Sequence, residues 1–155
     1  MSFWGRCGWW TPTQCNFHLG HVLWLREKNE LIIPDFQRPL VWTTDQKIKF
    51  LESVALGLPI GVYCLHEDEA GYTLIDGQQR FSAIYGFVDG EFEVFGSSYK
   101  DFSLKEQRRF GTFTVFPALM LRGLSLDQQK EAYDRMAYMG TPHDPALNPF
   151  KEAAS

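Results

Sequence analysis

The chain has 155 residues, enough for one domain with its own hydrophobic core, and 45% of them are hydrophobic. Its formal net charge is −4, which excludes the overall basic surface typical of nonspecific DNA-binding proteins and leaves only a local patch for such contacts. No apolar run approaches the roughly 18 residues of a membrane span. No signal-peptide pattern is present and the three cysteines are irregularly spaced, so a cytoplasmic protein is expected.

The first 30 residues predict an aromatic N-terminal arm. Three of its tryptophans lie among glycines and a proline without a helical or strand period: Trp4, Trp9 and Trp10. Residues 22–33 indicate a short helix that leads into a short strand. We expect a domain over residues 31–142 and a tail rich in proline and small residues over 143–155.

Four side chains in the arm are of the types that bind zinc: Cys7, Cys15, His18 and His21. Zinc knuckles usually bring two cysteines about two to four residues apart, whereas these two are much farther apart in the sequence. We therefore expect no metal site here.

Two prolines restrain the segment of residues 33–42. Pro34 and Pro39 favour an extended, non-helical path, and Gln37 and Arg38 lie between them. A rigid loop that presents an amide and a guanidinium is suited to a ligand. An equally good interpretation is an arginine that ties the loop to a neighbouring carboxylate.

Polar pairs with the capping-box spacing predict three helix starts: Thr43 with Gln46, Ser103 with Glu106, and Ser125 with Gln128. The first helix should run over residues 44–56, with apolar residues on one face. β-rich runs predict strands over these ranges: 60–65, 72–75, 91–95, 112–116 and 119–121. A polar turn between the first two strands indicates a hairpin.

The most informative stretch is residues 74–84, where a strand pattern changes to a helical one. Asp76, followed three residues later by Gln79, has the spacing of a capping-box variant, which predicts Asp76 as the N-cap of the next helix. Gly77 lets a ligand approach the backbone, and free N–H groups at a helix start favour an anion. Arg80 adds a guanidinium suited to phosphate. The alternative is a capped helix with a surface arginine.

Two further features have plain interpretations. Cys64 lies in a predicted strand and is expected to be a small core residue, because no neighbouring base would activate it. A local basic cluster forms a solvated surface or, less often, a nucleic-acid contact: Lys105, Arg108, Arg109 and Arg122.

In chain order, these motifs resemble the ParB/sulfiredoxin-like domain of GmrSD-type restriction proteins. The similarity lies in residues 33–42, in Gly57 with Pro59, in the Asp-Gly-Gln-Gln-Arg block of residues 76–80, and in residues 133–142. The resemblance implies an α+β fold in which a small mixed sheet packs with helices.

The resemblance also implies nucleotide chemistry: hydrolysis of a nucleoside triphosphate, or transfer of its phosphate, with Mg²⁺ in a DNA-related system. It implies catalytic roles for Asp76, Gln79 and Arg80. It implies nucleotide or phosphate binding by five residues: Gly77, Gln78, Gln37, Arg38 and Arg135. The expected partners are the nucleotide and DNA or a DNA-processing protein.

Two positions depart from the family pattern. Ala137 stands where the family has asparagine, and Met139 where it has glycine, which predicts weak or absent hydrolysis. We also expect that the chain does not cut DNA alone, since no nuclease motif is present. A non-catalytic module that binds DNA or protein, and a kinase for a small molecule or modified base, are therefore alternative hypotheses.

Overall fold

The computed structural model describes residues 12–139, which form a small α+β fold. The strands of this part are β1 (Thr13–Cys15), β2 (Leu31–Ile32), β3 (Tyr63–Asp68), β4 (Gly71–Asp76) and β5 (Ala118–Arg122). The α-helices of the same residues are α1 (Leu19–Glu27), α2 (Thr44–Ala55), α3 (Gln78–Val88), α4 (Leu104–Phe113) and α5 (Leu126–Met139), and a 3₁₀ turn spans Tyr99–Asp101.

The five strands form one mixed sheet in the order β1-β5-β3-β4-β2. The central strand β3 pairs antiparallel with β4, as the predicted hairpin requires, and parallel with β5. The edge strands β1 and β2 pair antiparallel with β5 and parallel with β4, respectively. The mixed sheet expected from the sequence is therefore confirmed.

Alternating side chains of the central strands face two different hydrophobic clusters. Tyr63 and Leu65 of β3 belong to the larger cluster, which also contains buried residues of α1, α2 and α3. Cys64 lies between them in the strand and belongs to a second cluster with Ala132 and Tyr133 of α5. Because successive strand residues point to opposite faces, α5 covers the face opposite to the larger cluster.

The three capping boxes predicted from the sequence are confirmed. Thr43 and Ser103 each accept a hydrogen bond from the backbone N–H of the partner residue three positions later, and that residue's side chain accepts from the cap N–H. Ser125 and Gln128 exchange the same pair of hydrogen bonds at 2.9 and 3.2 Å. These local contacts place the starts of α2, α4 and α5 at the predicted positions.

Two predicted strands are wrong. Residues 91–95 keep the alternation of buried and exposed side chains, but their pairing is limited to an isolated bridge between Val94 and Ser97, because the chain turns sharply at Phe95 and Gly96. Residues 112–116 begin inside α4, which extends to Phe113, so three residues remain before Pro117, and their pairing within the described residues is limited to an isolated bridge between Val115 and His18. The strand after Pro117 is β5.

Part of the predicted N-terminal arm belongs to the folded domain. β1 lies in the sheet, and Leu19, Val22 and Leu25 of α1 are fully buried. The prediction of a short helix followed by a short strand before residue 34 is confirmed. Trp4, Trp9, Trp10 and Cys7 lie outside the described residues, as does the predicted tail. Within the described range, no helix combines the length and apolar character needed to cross a membrane.

Candidate functional site

The turn between β4 and α3 is built around Gly77. Its φ angle is 121°, a left-handed conformation that side chains disfavour, and a Cβ atom there would lie 2.9 Å from the Cβ of Tyr63. Gly77 is the N-cap of α3, and no side chain among the described residues 12–139 accepts a hydrogen bond from this helix start. The first backbone N–H groups of α3 have no partner within the helix, so the positive end of its dipole is available to an anion.

The predicted capping role of Asp76 is wrong. Asp76 is the last residue of β4, because the chain turns at Gly77 and not before it. Its Oδ2 atom accepts a hydrogen bond from the Arg80 guanidinium at 3.1 Å. The carboxylate thus interacts with a cation one turn into the helix instead of with the helix backbone.

Arg80 is a partly buried cation held by two oxygen atoms. Its side chain is 18% exposed, and it donates to the Ile60 carbonyl at 3.0 Å as well as to Asp76. The guanidinium lies 5.4 Å from the centre of the Phe116 ring. Burial lowers the pKa of Arg80, and the Asp76 carboxylate opposes this shift, so the ion pair keeps the charge in a poorly solvated position. Arg80 is therefore not the surface arginine of the alternative interpretation.

Gln79 holds the loop that precedes α2. Its Oε1 atom accepts hydrogen bonds from the backbone N–H groups of Val41 and Trp42 at 3.0 and 3.1 Å, and its Nε2 atom donates to the Pro39 carbonyl at 3.3 Å. The side chain is buried. Because both ends of the amide bind the loop, Gln79 positions that loop and does not complete a capping box.

The same loop carries Gln37 and Arg38, as the sequence predicted. The Gln37 amide donates to the Leu74 carbonyl of β4, and the backbone N–H of Arg38 donates to the Tyr133 hydroxyl of α5 at 2.8 Å. The Phe36 ring also contacts the Tyr133 ring, with 5.6 Å between their centres. The loop is thereby fixed against both β4 and α5.

These elements enclose a cleft of about 310 Å³. Its lining includes seven residues predicted for the site: Gln37, Arg38, Asp76, Gly77, Gln78, Gln79 and Arg80. Residues of the loop, the helix start and α5 meet here. The cleft thus combines two guanidinium groups, one carboxylate and an uncapped helix start.

Gln78 lines the cleft and carries an unsatisfied polar atom. Its Oε1 atom is buried and has no hydrogen-bond partner among the described residues. A buried acceptor without a partner is unfavourable by about 1–3 kcal/mol, so such atoms in folded proteins usually indicate a missing partner. A ligand that donates a hydrogen bond would remove this cost.

A protein-family profile described as "GmrSD restriction endonuclease, N-terminal domain" matches residues 22–144. The chain belongs to this family. The GmrSD assignment confirms the resemblance drawn from the motifs and places the protein in a restriction-endonuclease-related DNA system. No curated protein sequence matches the chain.

The later GmrSD motif reaches the cleft through α5, but not through Arg135. The Arg135 side chain is largely exposed and donates to Glu131 at 2.8 Å, and Arg135 is not among the lining residues. The helix instead contributes three other residues to the lining: Tyr133, Met136 and Ala137. The sequence analysis did not predict the first two for the site and named Ala137 only as a difference from the family pattern. Their spacing of three and four residues is that of one helical face, a signal present in the sequence.

Ala137, the position where the GmrSD pattern has asparagine, does line the cleft. It also packs against the cluster that contains Ile75 and Tyr133. The side chain of Met139 lies outside the described part of the structure. The first of the two departures therefore replaces a polar group by a methyl group at the site itself.

The remaining candidates, Cys64 and the described basic cluster, are not part of the cleft lining. Cys64 is buried, and burial, with a smaller contribution from Asp76, raises the pKa of its thiol to about 12, so it is the core residue expected. Arg122 of the predicted basic cluster pairs with Glu67 at 2.6 Å on the sheet. Residues 12–139 contain no group of three or more His, Cys, Asp or Glu side chains arranged for a metal ion.

Proposed function

We propose that the cleft binds the phosphate groups of a nucleoside triphosphate together with Mg²⁺, and that the protein hydrolyses this nucleotide or transfers its phosphate within a restriction-type DNA system. The observation that carries the proposal is the uncapped start of α3 behind Gly77, with Arg38 and Arg80 on the same cleft. Helix starts and arginine forks are two of the commonest phosphate-binding devices in proteins.

Each residue has a separate role in this proposal. The backbone N–H groups of residues 78–80 bind phosphate oxygens, which approach closely because Gly77 has no side chain. Arg80 and Arg38 balance the negative charge from two sides. Gln79 keeps the loop of residues 39–42 in place and is a positioning residue, since its amide is already used. The free Gln78 oxygen accepts a hydrogen bond from the nucleotide.

The residues present also fit a magnesium ion. Asp76 is the carboxylate among the lining residues, and its side chain is 45% exposed. Mg²⁺ is usually bound through one or two carboxylates, water and the phosphates of its nucleotide, so one carboxylate is sufficient. When bound, the ion would neutralise phosphate charge. Asp76 would hold it through the oxygen that does not face Arg80.

Two observations favour a non-catalytic alternative. Arg80 already donates to Ile60 and Asp76, and Ala137 contributes no polar group. A cleft of this kind could bind a nucleotide, DNA phosphates or a protein without turnover. Binding and turnover must therefore be measured separately. A kinase would be recognised by phosphate appearing on an acceptor and not in solution.

The decisive experiment measures binding of ATP, GTP, CTP and UTP with Mg²⁺ by calorimetry, and phosphate release in parallel. We expect binding by the wild type and a loss of about tenfold or more in affinity for Arg80→Ala, since hydrogen bonds to charged groups contribute about 1.5–3 kcal/mol. Arg135→Ala, on the exposed face of α5, is the matched control and should bind normally. Circular dichroism verifies the fold of both variants.

The outcomes separate the hypotheses. Binding with phosphate release supports hydrolysis, and binding without release supports the non-catalytic alternative. If the wild type binds none of the four nucleotides, the nucleotide proposal is wrong and DNA or protein becomes the ligand to test.

A further inference from the structure

A second concave surface differs from the cleft because its lining is mainly apolar. It is bounded by three elements: the end of α2, α4, and the segment that precedes β3. This apolar groove has a volume of about 910 Å³. Its lining includes Leu58, Val62, Phe95, Phe113 and Val115, each at least 40% exposed. Large exposed apolar surfaces on soluble proteins usually mark sites of interaction.

Phe95 is held in this groove at an energetic cost. Its φ angle is 51°, in the left-handed region that a bulky residue rarely adopts, and its side chain is 62% exposed. The backbone pair between Val94 and Ser97 fixes the turn. Strained conformations of this kind cost about 1–3 kcal/mol and tend to occur where a side chain must be presented for a function.

The exposed surface of α4 beside the groove, here called the rim, carries more positive than negative charge. Arg109 lines the groove, and its guanidinium lies 4.6 Å from the centre of the Phe113 ring. Lys105 and Arg108 are exposed on the same helix. Glu106, the acidic residue of this rim, accepts hydrogen bonds from Ser103, which lower its pKa and direct its charge to the helix start. A partner with acidic residues would therefore complement the rim.

We propose that the apolar groove binds an amphipathic helix of a protein partner, with aromatic or aliphatic anchor residues flanked by Asp and Glu. Helices that bind in grooves insert residues spaced three and four apart, and aromatic side chains often supply most of the binding energy. Phe95 and Phe113 are the aromatic contacts on this side. Nucleic acid is a poor occupant, because the lining offers few groups for phosphate. This proposal does not depend on nucleotide binding in the cleft.

The test uses synthetic helical peptides with Leu and Phe anchors in three versions: flanked by Glu, flanked by Lys, and flanked by Glu with Ala at the anchor positions. Fluorescence anisotropy gives the affinities, and NMR shifts of the full chain locate the contact. We expect the Glu-flanked peptide to bind about tenfold or more tightly than the other two, because both charge and apolar anchors contribute.

Variants then test the groove itself. Phe113→Ser and Phe95→Gly should each weaken the Glu-flanked peptide about tenfold, and Arg109→Glu should reverse the preference for charge. Phe95→Gly removes the backbone strain, so its melting temperature should not fall and its loss of binding cannot be explained by unfolding. Leu104→Ser is the control, since Leu104 is 73% exposed and outside the groove lining.

Three results would overturn the proposal. Equal binding of the Glu-flanked and Lys-flanked peptides would show that charge does not select the partner. NMR shifts outside the groove would show that the peptide binds elsewhere. If Phe113→Ser converts a self-associated wild type into a monomer, the occupant is a second copy of the chain and not a different protein.

Discussion

At the scale of single residues, Gln79 shows how one side chain organises the cleft. Its amide binds two N–H groups and one carbonyl of the loop before α2, so the helix start and the loop are joined through one residue. The amide oxygen is fully used by the bonds to the two N–H groups, and the nitrogen uses one of its two N–H donors. A residue of the nucleotide-binding motif thus acts on the site through the loop that it holds.

We predict that Gln79→Ala destabilises the fold by about 1–3 kcal/mol, because it leaves several backbone groups without partners. Urea unfolding measures the change. Gln79→Glu is the matched control when both variants are compared at low pH: its protonated carboxyl group keeps an acceptor for Val41 and Trp42 and a donor for Pro39, so its loss should be smaller. Equal losses in the two variants would contradict this account.

A second prediction concerns Gly77. Gly77→Ala should lower the free energy of unfolding by about 1–3 kcal/mol more than Gly96→Ala. Both glycines have positive φ angles, but a Cβ atom at residue 77 meets Tyr63 at 2.9 Å, whereas one at residue 96 has no neighbour within 4 Å. Thermal unfolding of the two variants gives the comparison. Identical values would show that the contact with Tyr63 is relieved without cost.

His21 gives the fold a dependence on pH. It is hydrogen-bonded to the Tyr63 hydroxyl at 2.6 Å, and burial lowers its pKa from 6.5 to about 4. The unfolded chain therefore takes up this proton first as the pH falls. The contribution of neutral His21 to the free energy of unfolding is fully present above pH 6.5 and is lost as the pH falls towards about 4. The free energy of unfolding, measured by denaturation across this range, should depend less on pH for His21→Gln than for the wild type.

At the scale of elements, the helices were the more predictable part of the fold. A capping box is a contact within four residues, so Thr43, Ser103 and Ser125 could be recognised without any knowledge of the tertiary structure. A strand requires a neighbour. The alternating pattern at residues 91–95 correctly predicts which side chains are buried. The described residues provide no strand for this segment to pair with beyond an isolated bridge, and a local pattern cannot show whether such a strand is present.

Some features of the candidate site could also be predicted from the sequence, and others could not. The sequence correctly grouped Gln37 and Arg38 with residues 76–80, because the resemblance covered both motifs. It could not show that Gln79 binds a loop nearly forty positions earlier. Arg135 was assigned by its type and its place in a motif, whereas the helical spacing of Tyr133, Met136 and Ala137 indicates the face that lies on the cleft.

The start of α4 provides a prediction at this scale. Ser103→Ala should reduce stability by about 1 kcal/mol, because the first turn loses its side-chain cap. Ser103→Asp keeps an acceptor at the cap and should retain most of the stability. Thermal unfolding distinguishes the two variants. A loss of similar size in both would indicate that the cap hydrogen bond contributes little.

At the scale of the whole molecule, Arg80 connects the cleft and the apolar groove. One of its nitrogen atoms donates to Asp76 in the cleft, and another donates to the carbonyl of Ile60, which lines the groove. A Cβ atom on Gly61, also in the groove, would lie 3.0 Å from the same guanidinium. Movement of the segment before β3 therefore changes the position of a charge in the cleft.

This connection predicts that Gly61→Ala weakens nucleotide binding about threefold or more, by displacing the Arg80 guanidinium from its hydrogen bonds. Gly57→Ala is a close control, because Gly57 has a similar φ angle of 74° but a Cβ atom there would meet no other atom within 4 Å. Calorimetry with the nucleotide bound by the wild type provides the measurement. The prediction rests on the proposed function, and equal affinities of the two variants would contradict the connection alone.

The order of strands also has a consequence for how the chain folds during synthesis. β1 and β2 are made first but occupy the two edges of the sheet, and β1 has its partner only in β5, near the end of the described chain. The parallel pairing of β3 with β5 must wait for the same segment. A nascent chain that ends before Ala118 therefore exposes one edge of β3 and leaves β1 without a strand to join. Completion of the sheet is a late event, because it requires β5 to have emerged from the ribosome.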